Sequence, residues 1–465
     1  MIRDGHRVRH ERFGAGTVRE IRHGGYEAKV MFQGYAIWVP STSLERIGDA
    51  LDKPRMPGYS GSSAGSAKPS RKSRAKVKAG PTPSGADHLQ RQIIESLRLG
   101  IVPDRNLAEW TVGREEEFAQ VVQWLDEPSE GTLLVEGRYG SGKTHLLRYL
   151  SQQAQERNWA VSLIRVDPGE ENASFPMRFY RSVVRGLRIP YEGGFFELDA
   201  ALRHIAGKTV SLRENRFLGP FVERIIEGTE TDADWASLMG ERSGSNLLPA
   251  HLDFTTVANL ACNLISAISV AAAEDLDRTG LLILVDEVET AEVRRYSYHW
   301  NRTLNFLRGL SMVANDDDDL NEKAQRSQSG PHLGTTTGLV YSGHYPDVQY
   351  YHAFPAHLKV VLALTECRVT GRMLEWKAEQ PRLALSDMDH HALKSLYHKV
   401  NRTYRGLYGV SVPDHLERYV LHDLLLEAYR SASIRGFAKS LVEVLDFLRH
   451  NPDEPLEVID AYREF

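Results

Sequence analysis

The stretch "GTLLVEGRYGSGKTHLL" (residues 131–147) decides the fold of this chain. Gly137, Gly142, Lys143 and Thr144 occupy the fixed positions of the pattern G-x-x-x-x-G-K-[ST]. An apolar strand precedes the glycines and a helical segment follows them, which predicts a loop whose backbone N–H groups surround phosphates. The predicted nucleotide contacts in this loop are Gly137, Gly140, Ser141, Gly142, Lys143, Thr144 and His145.

A loop of this kind predicts that the chain binds ATP with Mg²⁺. Lys143 is expected to reach the β- and γ-phosphates, and Thr144 to ligate the metal. The stretch "GLLILVDEVET" (280–290) adds a buried strand that ends in two acids, of which Asp286 is expected to hold Mg²⁺ and Glu287 to polarise the attacking water. Taken alone, an apolar run followed by two acids also fits a strand-to-helix turn that Asp caps.

Length and composition narrow the class of protein. At 465 residues, of which 42% are hydrophobic, the chain is expected to fold into two to four domains. The two cysteines lie far apart, and neither stands in the spacing of a zinc site. The N-terminus lacks an apolar leader and no run of about 18 apolar residues occurs, so we expect a soluble, cytoplasmic protein without a membrane partner.

The charge is unevenly distributed. The net charge is -5, yet residues 1–90 carry 16 Lys and Arg against 8 Asp and Glu. Residues 51–90 are rich in Gly, Ser, Pro and cations, which predicts a basic flexible linker. Its segment "SRKSRAKVK" could contact DNA through counterion release, and the alternative is a solvated tether.

The regions on either side of the linker differ in pattern. Residues 1–50 alternate short β-rich runs with glycine turns, which predicts a small all-β barrel. Residues 91–385 alternate strand and helix signals, which predicts an α/β core interrupted by a helical insertion at about 188–278. Residues 386–465 read as a helical lid. The predicted core strands are Thr132–Glu136, Ala160–Arg165, Gly280–Asp286, His357–Thr365 and Arg382–Leu385.

Three further segments resemble parts of the AAA+ branch of P-loop ATPases. "WTVGREEEF" (110–118) is similar to a segment that contacts adenine, which implies that role for Val112, Gly113 and Arg114; the alternative is an ordinary helix start. "HLKVVLALTE" (357–366) resembles the sensor-1 strand, which implies that Thr365 senses the γ-phosphate, although "GLVYSG" (338–343) is a rival strand. "SASIRGFAKSLVEVLDFLRHNP" (431–452) resembles the sensor-2 helix, which implies that Arg435 enters the site.

From about residue 95 to 455 the chain resembles the BREX-system ATP-binding domain family of bacterial phage defence. The carrying features are VGRE, GRYGSGKTH, GLLILVDEVE and the closing helix, whereas the long polar loop 313–337 and the Ile434 before Arg435 depart from the family pattern. Residues 5–47 resemble SH3-like or Tudor-like modules. The resemblance implies an AAA+-type ATPase that hydrolyses ATP, works with DNA and a helicase or other defence proteins, and forms a homo-oligomer.

Alternatives to this interpretation stay open at the sequence level. Arg302 or Arg308 could serve a neighbouring subunit as an arginine finger, or could lie on an amphipathic helix that packs on the sheet. The whole chain could be a nucleotide-gated scaffold with little turnover that recruits partners through its N-terminal barrel. It could also be a DNA-binding protein whose ATPase core is auxiliary.

Overall fold

A computed structural model describes most of the chain. The described residues are 5–10, 14–22, 27–32, 35–48, 85–101, 107, 109–166, 173–241, 244–245, 247–248, 257–293, 297–328, 330–367, 371–373, 381–431 and 433–451. The predicted basic linker lies outside these residues, apart from its last six positions, which form the start of a helix. Among the described residues, no helix combines the length and the apolar composition that crossing a bilayer requires.

Five parallel strands form the centre of the molecule. They are β6 (Thr132–Gly137), β7 (Ala160–Arg165), β10 (Leu281–Asp286), β14 (Leu358–Leu364) and β15 (Arg382–Leu385). Their order across the sheet is β15-β6-β14-β10-β7. All five predicted core strands are therefore present, and their carboxyl ends meet at one edge, where open α/β sheets bind ligands. The expected α/β architecture with a parallel sheet is confirmed.

The two central strands β10 and β14 are buried along their whole length, because helices cover both faces of the sheet. On one face lie α2 (Glu115–Asp126) and α3 (Lys143–Glu156). On the other lie α4 (Pro176–Gly186), α9 (Ala258–Glu274) and α10 (Ser297–Ala314). Helix α9 buries 15 of its 17 residues, so it lies inside the core with no solvent face.

Between β7 and β10 the chain forms the predicted insertion. Its helices are α5 (Leu198–Ile205), α6 (Ser211–Glu214), α7 (Leu218–Glu227), α8 (Asp232–Leu238) and α9. The insertion begins with a hairpin that the sequence reading missed, formed by β8 (Leu187–Tyr191) and β9 (Gly194–Phe196). Its turn has positive φ at both Glu192 and Gly193, as a two-residue hairpin turn requires.

The N-terminal residues form an antiparallel sheet of β1 (Arg7–His10), β2 (Gly14–Arg22), β3 (Glu27–Phe32), β4 (Tyr35–Pro40) and β5 (Leu44–Gly48). The likeness of this N-terminal sheet to SH3-like or Tudor-like modules stays a prediction. Its strand β4 pairs with β9, and β8 pairs with β7, so the N-terminal sheet continues into the core sheet through the hairpin. An ion pair between Lys29 and Glu197 joins the same two regions.

The polar loop between β10 and β14 contains a second, three-stranded sheet of β11 (Ala324–Arg326), β12 (His332–Gly334) and β13 (Val340–Tyr341). Its loop is anchored by the buried carboxylate of Glu322, which accepts hydrogen bonds from the backbone N–H groups of Thr336 and Thr337 at 2.7 and 2.9 Å. The rival segment 338–343 therefore lies in this small sheet, and β14 is the strand that lies between β6 and β10.

Three helices form the C-terminal lid: α11 (His390–Tyr408), α12 (Asp414–Ser431) and α13 (Ile434–His450). The helix before the core in sequence, α1 (Gly85–Arg98), packs on α11 and α13 and shares their apolar core. The Arg98 guanidinium donates two hydrogen bonds to the Asp446 carboxylate, at 2.6 and 2.7 Å, and the Tyr404 hydroxyl donates to the same group at 2.6 Å. Helix α1 is thereby attached to the lid.

Candidate nucleotide site

The glycine-rich loop turns sharply between β6 and α3. Gly140 and Gly142 have φ of 83° and 101°, a conformation that side chains rarely adopt. A Cβ on Gly137 would lie 2.4 Å from the Ser141 Oγ, so the loop closes on itself only with glycine there. Gly142 directly precedes the first turn of α3, whose free N–H groups face the loop. The loop and the helix start form a cradle for an anion.

Lys143 is buried, with 7% of its surface exposed, and its ammonium group lies inside the loop. The Nζ donates to the carbonyl oxygens of Gly137 and Arg138 at 2.7 and 3.0 Å, and to the Thr365 Oγ1 at 2.8 Å. Burial lowers the pKa of Lys143, and the nearby acids, Glu289 first among them, oppose that change. The structure therefore joins the end of β14 directly to the lysine of the loop.

Thr144 and Asp286 meet across the edge of the sheet. The Thr144 hydroxyl donates to the Asp286 Oδ2 at 2.7 Å, although the two residues stand 142 positions apart in the sequence. Asp286 is buried, and burial raises the pKa of its carboxyl, which the bond from Thr144 partly offsets. A hydroxyl and a carboxylate side by side are the hard oxygen donors that Mg²⁺ prefers, so these two residues fit the predicted metal.

Glu287 projects from the same strand end in an unusual backbone conformation. Its φ of 58° is rare for a residue with a side chain. The Arg165 guanidinium donates two hydrogen bonds to the Glu287 carboxylate, at 2.7 and 2.6 Å. Arg165 is the last residue of the neighbouring strand β7, so the pairing of β7 with β10 places it there. In this structure the predicted base is held by an arginine.

Glu289 is a residue of the site that sequence reasoning missed. Its two carboxylate oxygens accept hydrogen bonds from the Thr365 hydroxyl at 2.6 Å and from the Thr365 backbone N–H at 3.1 Å. The acidic run "DEVE" contained the signal, because Glu289 follows Glu287 by two positions. Its partner could not be found from the sequence, since it depends on the adjacency of β10 and β14.

Val112, Gly113 and Arg114 lie where the core meets the lid. Arg114 is buried, and its guanidinium donates to the Glu117 carboxylate at 2.6 Å, to the Ser141 carbonyl at 3.1 Å and to Ser386. A Cβ on Gly113 would lie 2.4 Å from the Ala392 Cβ of α11. Arg114 therefore bonds the glycine-rich loop to Ser386, and Gly113 allows close packing against α11. Contact with adenine stays a prediction for Val112, Gly113 and Arg114.

His145 follows Thr144 on the first turn of α3. Its Nε2 shares a 2.8 Å hydrogen bond with the Thr111 Oγ1, and the Thr111 hydroxyl also bonds the Leu107 carbonyl at 2.8 Å. Burial, aided by the charge of Arg148, lowers the pKa of His145 from its ordinary value of 6.5 to about 4. The imidazole is therefore neutral at physiological pH.

A cleft of about 410 Å³ joins these residues into one site. Its phosphate end contains Lys143, Thr144, Asp286, Glu287 and Glu289. Its base end is lined mainly by apolar side chains of α1, the lid and the segment before α2: Leu97, Ile101, Val112, Met388, Leu396, Ile434 and Ala438. A cavity of this size with one polar and one apolar end suits a nucleotide.

Arg435 lies at the start of α13 and lines the same cleft from the lid side. A Cβ on Gly100 would lie 3.0 Å from the Arg435 Cγ, so the side chain runs along the end of the α1 segment. Arg435 and the glycine-rich loop therefore line the same cleft. Its role toward a phosphate stays a prediction.

Arg302 and Arg308 lie on α10, away from the cleft of their own chain. Both are half-buried, and the Arg302 guanidinium lies 5.0 Å from the centre of the Tyr298 ring. Neither arginine contributes to the lining of this cleft, so a role as arginine finger would require a second subunit. That role stays a prediction.

Part of this chain is similar to a known protein family. Residues 86–205 match the model of the family described as BREX system ATP-binding protein BrxC/D. A search of curated proteins gives no match.

Among solved structures, a chain in the structure of Drosophila ORC bound to DNA matches with a TM-score of 0.32 and 14% identity, covering 83% of this chain and 66% of that chain. A chain of the E. coli MS115-1 HORMA:CdnC:Trip13 complex matches with a TM-score of 0.28 and 11% identity, covering 73% of this chain and 91% of that one. This chain therefore spans just under two thirds of the ORC chain. The segment from α1 through the phosphate loop to α5 is therefore similar to the BREX system ATP-binding proteins BrxC/D, within the region where the sequence resemblance was predicted.

Proposed function

We propose that this chain binds ATP with Mg²⁺ in the cleft and hydrolyses it. The observation that carries the proposal is the meeting of Lys143, Thr144 and Asp286 at one end of a 410 Å³ cavity. These residues come from two separate stretches of sequence, and the parallel pairing of the core strands brings them together. Their chemistry is that of a triphosphate site: a cation, a hydroxyl and a carboxylate beside free helix N–H groups.

The loop residues Gly137, Gly140, Ser141, Gly142 and His145 shape the phosphate end. Lys143 now bonds two carbonyls of its own loop and the Thr365 hydroxyl, so its ammonium group already lies within the cradle. An entering phosphate replaces these neutral acceptors with charged ones, which bind an ammonium group more strongly.

Thr144 and Asp286 would hold Mg²⁺, whose charge offsets that of the phosphates when it is bound. The Asp286 carboxyl is buried, which disfavours its charge. The hydrogen bond from the Thr144 hydroxyl is the main contact that offsets this effect. Within the described residues, no cluster of three or more His, Cys, Asp or Glu side chains is arranged to hold a metal by itself. The Thr144 hydroxyl and the Asp286 carboxylate suit Mg²⁺, which is commonly bound by one or two protein oxygens together with phosphates.

Glu287 is the residue placed to activate water for hydrolysis. Its carboxylate lies next to Asp286 but is now paired with Arg165 on both oxygens. Both oxygens of this carboxylate are therefore occupied by Arg165 in this structure. Turnover therefore requires Glu287 to exchange at least one of its bonds to Arg165 for a bond to the attacking water. Thr365 and Arg435 would complete the surroundings of the γ-phosphate.

We place this activity in a bacterial anti-phage system. The support is the match of residues 86–205 to the BREX family model. DNA and a helicase are proposed as partners from the wider sequence resemblance and from the basic composition of residues 51–90. A homo-oligomer is proposed from the resemblance to AAA+ ATPases, in which Arg302 or Arg308, both outside the cleft of their own chain, would reach the cleft of a neighbouring subunit.

The proposed DNA contact depends on the basic linker. We expect deletion of residues 51–84, which leaves α1 intact, to lower the affinity for double-stranded DNA and to flatten its dependence on salt, since fewer counterions are released. The measurement is DNA binding by fluorescence anisotropy at several salt concentrations. A slope equal to that of the full chain would remove the linker from the proposal.

Lys143→Ala tests nucleotide binding. We expect at least about a hundredfold loss of ATP affinity in equilibrium titration, because the buried ammonium group is a charged partner of the phosphates. Lys394→Ala, which removes an exposed lysine of α11, is the control and should bind as the unaltered chain does. Equal ATP affinity in Lys143→Ala and the control would refute the proposed site.

A second candidate is a nucleotide-gated scaffold with little turnover, and the Arg165–Glu287 pair favours it. If the pair persists with ATP bound, the chain binds nucleotide, assembles and hardly hydrolyses. Oligomer size with ADP and with a non-hydrolysable ATP analogue, measured beside turnover, separates the two functions. Nucleotide-dependent assembly, with turnover that is negligible and rises in Arg165→Ala, would support the scaffold.

A further inference from the structure

The end of β14 is bonded to two charged groups at once. The Thr365 Oγ1 lies 2.8 Å from the Lys143 Nζ and 2.6 Å from the Glu289 Oε1. The other Glu289 oxygen accepts the Thr365 backbone N–H at 3.1 Å. The three side chains form a short chain of hydrogen bonds that runs from the phosphate loop, through the strand β14, to the residues after β10.

The direction of each bond follows from the chemistry of the groups. An ammonium group has only donors, so the Thr365 oxygen accepts from Lys143. An ionised carboxylate has only acceptors, so the single proton of the Thr365 hydroxyl goes to Glu289. In this state Thr365 has no proton left to donate to a phosphate, and its oxygen occupies one of the three protons of Lys143.

In the proposed site, a γ-phosphate bound to Lys143 would lie next to Thr365 as well, because the Lys143 Nζ lies 2.8 Å from the Thr365 Oγ1. It takes Lys143, and it can accept a hydrogen bond from Thr365 only if the hydroxyl proton leaves Glu289. Glu289 is well placed to keep its hydrogen bond from the Thr365 hydroxyl, because its other oxygen accepts a bond from the Thr365 backbone N–H, which holds the carboxylate in position. ADP lacks the γ-phosphate and does not compete for this proton.

We propose that Glu289 is a specificity-determining residue that sets the preference between ATP and ADP, because its carboxylate competes with the γ-phosphate for the Thr365 hydroxyl. The proposal rests on the proposed nucleotide site. With Glu289 ionised, part of the binding free energy of the γ-phosphate is spent on breaking the Thr365–Glu289 bond. The site therefore binds ATP less tightly, relative to ADP, than the loop and Mg²⁺ residues alone would allow.

Glu289→Gln tests this competition in the full-length chain. The amide has nearly the same shape but no charge, so its bond to Thr365 is weaker. We expect the ratio of affinities for fluorescently labelled AMP-PNP and ADP, measured with Mg²⁺ by equilibrium titration, to rise about tenfold in favour of AMP-PNP. A purely structural role would lower both affinities together and leave the ratio unchanged.

Two further variants test whether the effect of Glu289 on the affinity ratio depends on the Thr365 hydroxyl. In a Thr365→Val background there is no proton to compete for, so adding Glu289→Gln should change the ratio by no more than about twofold. Glu366→Gln removes the charge of the exposed neighbour of Thr365 and should leave the ratio as in the unaltered chain.

A ratio in Glu289→Gln that equals the unaltered value or falls would overturn the proposal, and so would a gain that survives in Thr365→Val. If the unaltered chain binds neither labelled nucleotide, the proposed nucleotide site fails and this proposal fails with it. Tight binding of both nucleotides with an unchanged ratio overturns only the role of Glu289.

Discussion

At the phosphate end of the cleft, Lys143, Thr144, Asp286 and Thr365 already bond to one another or to the loop, whereas the base end is lined by apolar side chains from α1, the lid and the segment before α2. The first end is fixed by short polar contacts. The second depends on how α1 and the lid pack against the core. The difference indicates that hydrogen bonds hold the phosphate end in place without a ligand, whereas the shape of the base end follows from the packing of α1 and the lid.

A bulky side chain at the base end should give the largest difference between the binding of ATP and the binding of a triphosphate without a base. Ala438→Phe places a ring in the apolar part of the cleft. We expect ATP affinity to fall about a hundredfold, which is the loss expected when the flat aromatic base of ATP can no longer be buried there. Binding of inorganic tripolyphosphate should stay within about threefold, because the phosphate end is untouched. Both affinities are measured by calorimetry.

Ala428→Phe is the matched control, because Ala428 is buried in the lid core but does not line the cleft. It reports the cost of overpacking the lid. Equal losses of ATP and tripolyphosphate affinity in Ala438→Phe would contradict the division of the cleft into two ends.

His145 makes the stability of the phosphate end depend on pH. Its pKa in the folded chain is about 4, below the ordinary 6.5, so the unfolded chain binds the proton more readily. Stability is therefore lost as pH falls from 6.5 toward 4, by about 2 kcal/mol between pH 7 and pH 5 from this residue. Urea unfolding at the two pH values should show that loss, and His145→Gln should remove it. The same pH dependence in both proteins would contradict the assignment.

The attachment of α1 to the lid should affect nucleotide binding moderately. Arg98→Met removes the two bonds to Asp446 next to Leu97, which lines the base end. We expect ATP affinity to fall about fivefold, since the wall loses its anchor while Asp446 keeps Tyr404. Arg402→Met, which removes an exposed arginine of α11, is the control. Unchanged affinity in Arg98→Met would show that α1 does not shape the site.

An exposed ion pair near the loop should matter least. Arg138 and Asp387 lie 3.1 Å apart, but their side chains are 75% and 53% exposed. Solvent screens such a pair, so Arg138→Ala should change the free energy of unfolding by less than about 0.5 kcal/mol. Urea denaturation measures this value. A loss above about 1 kcal/mol would show that the loop depends on surface charges as well as on its buried contacts.

The phosphate end was largely predictable from the sequence, because its key residues stand in contiguous stretches with fixed spacing. Lys143 and Thr144 follow the glycines, and Asp286 ends an apolar strand. The parallel order of strands then brings the two stretches together. The five core strands were also predictable, since each is a short apolar run in an alternating pattern.

What the sequence could not give depends on contacts between distant segments. The bond from Thr365 to Glu289 joins residues 76 positions apart, and the bond from Arg98 to Asp446 joins residues 348 apart. The packing of α1 on the lid and the pairing of β9 with β4 are of the same kind. Local pattern carries little information about such pairs, because propensity and periodicity report only on neighbours in the chain.

The most direct test of the account is the rate of ATP hydrolysis by the full-length chain and by Glu287→Gln, with and without DNA and with ATP binding measured in parallel. We expect both proteins to bind ATP with similar affinity and the variant to turn over about a hundred to ten thousand times more slowly, because the general base is lost. Equal turnover in the two proteins would contradict it.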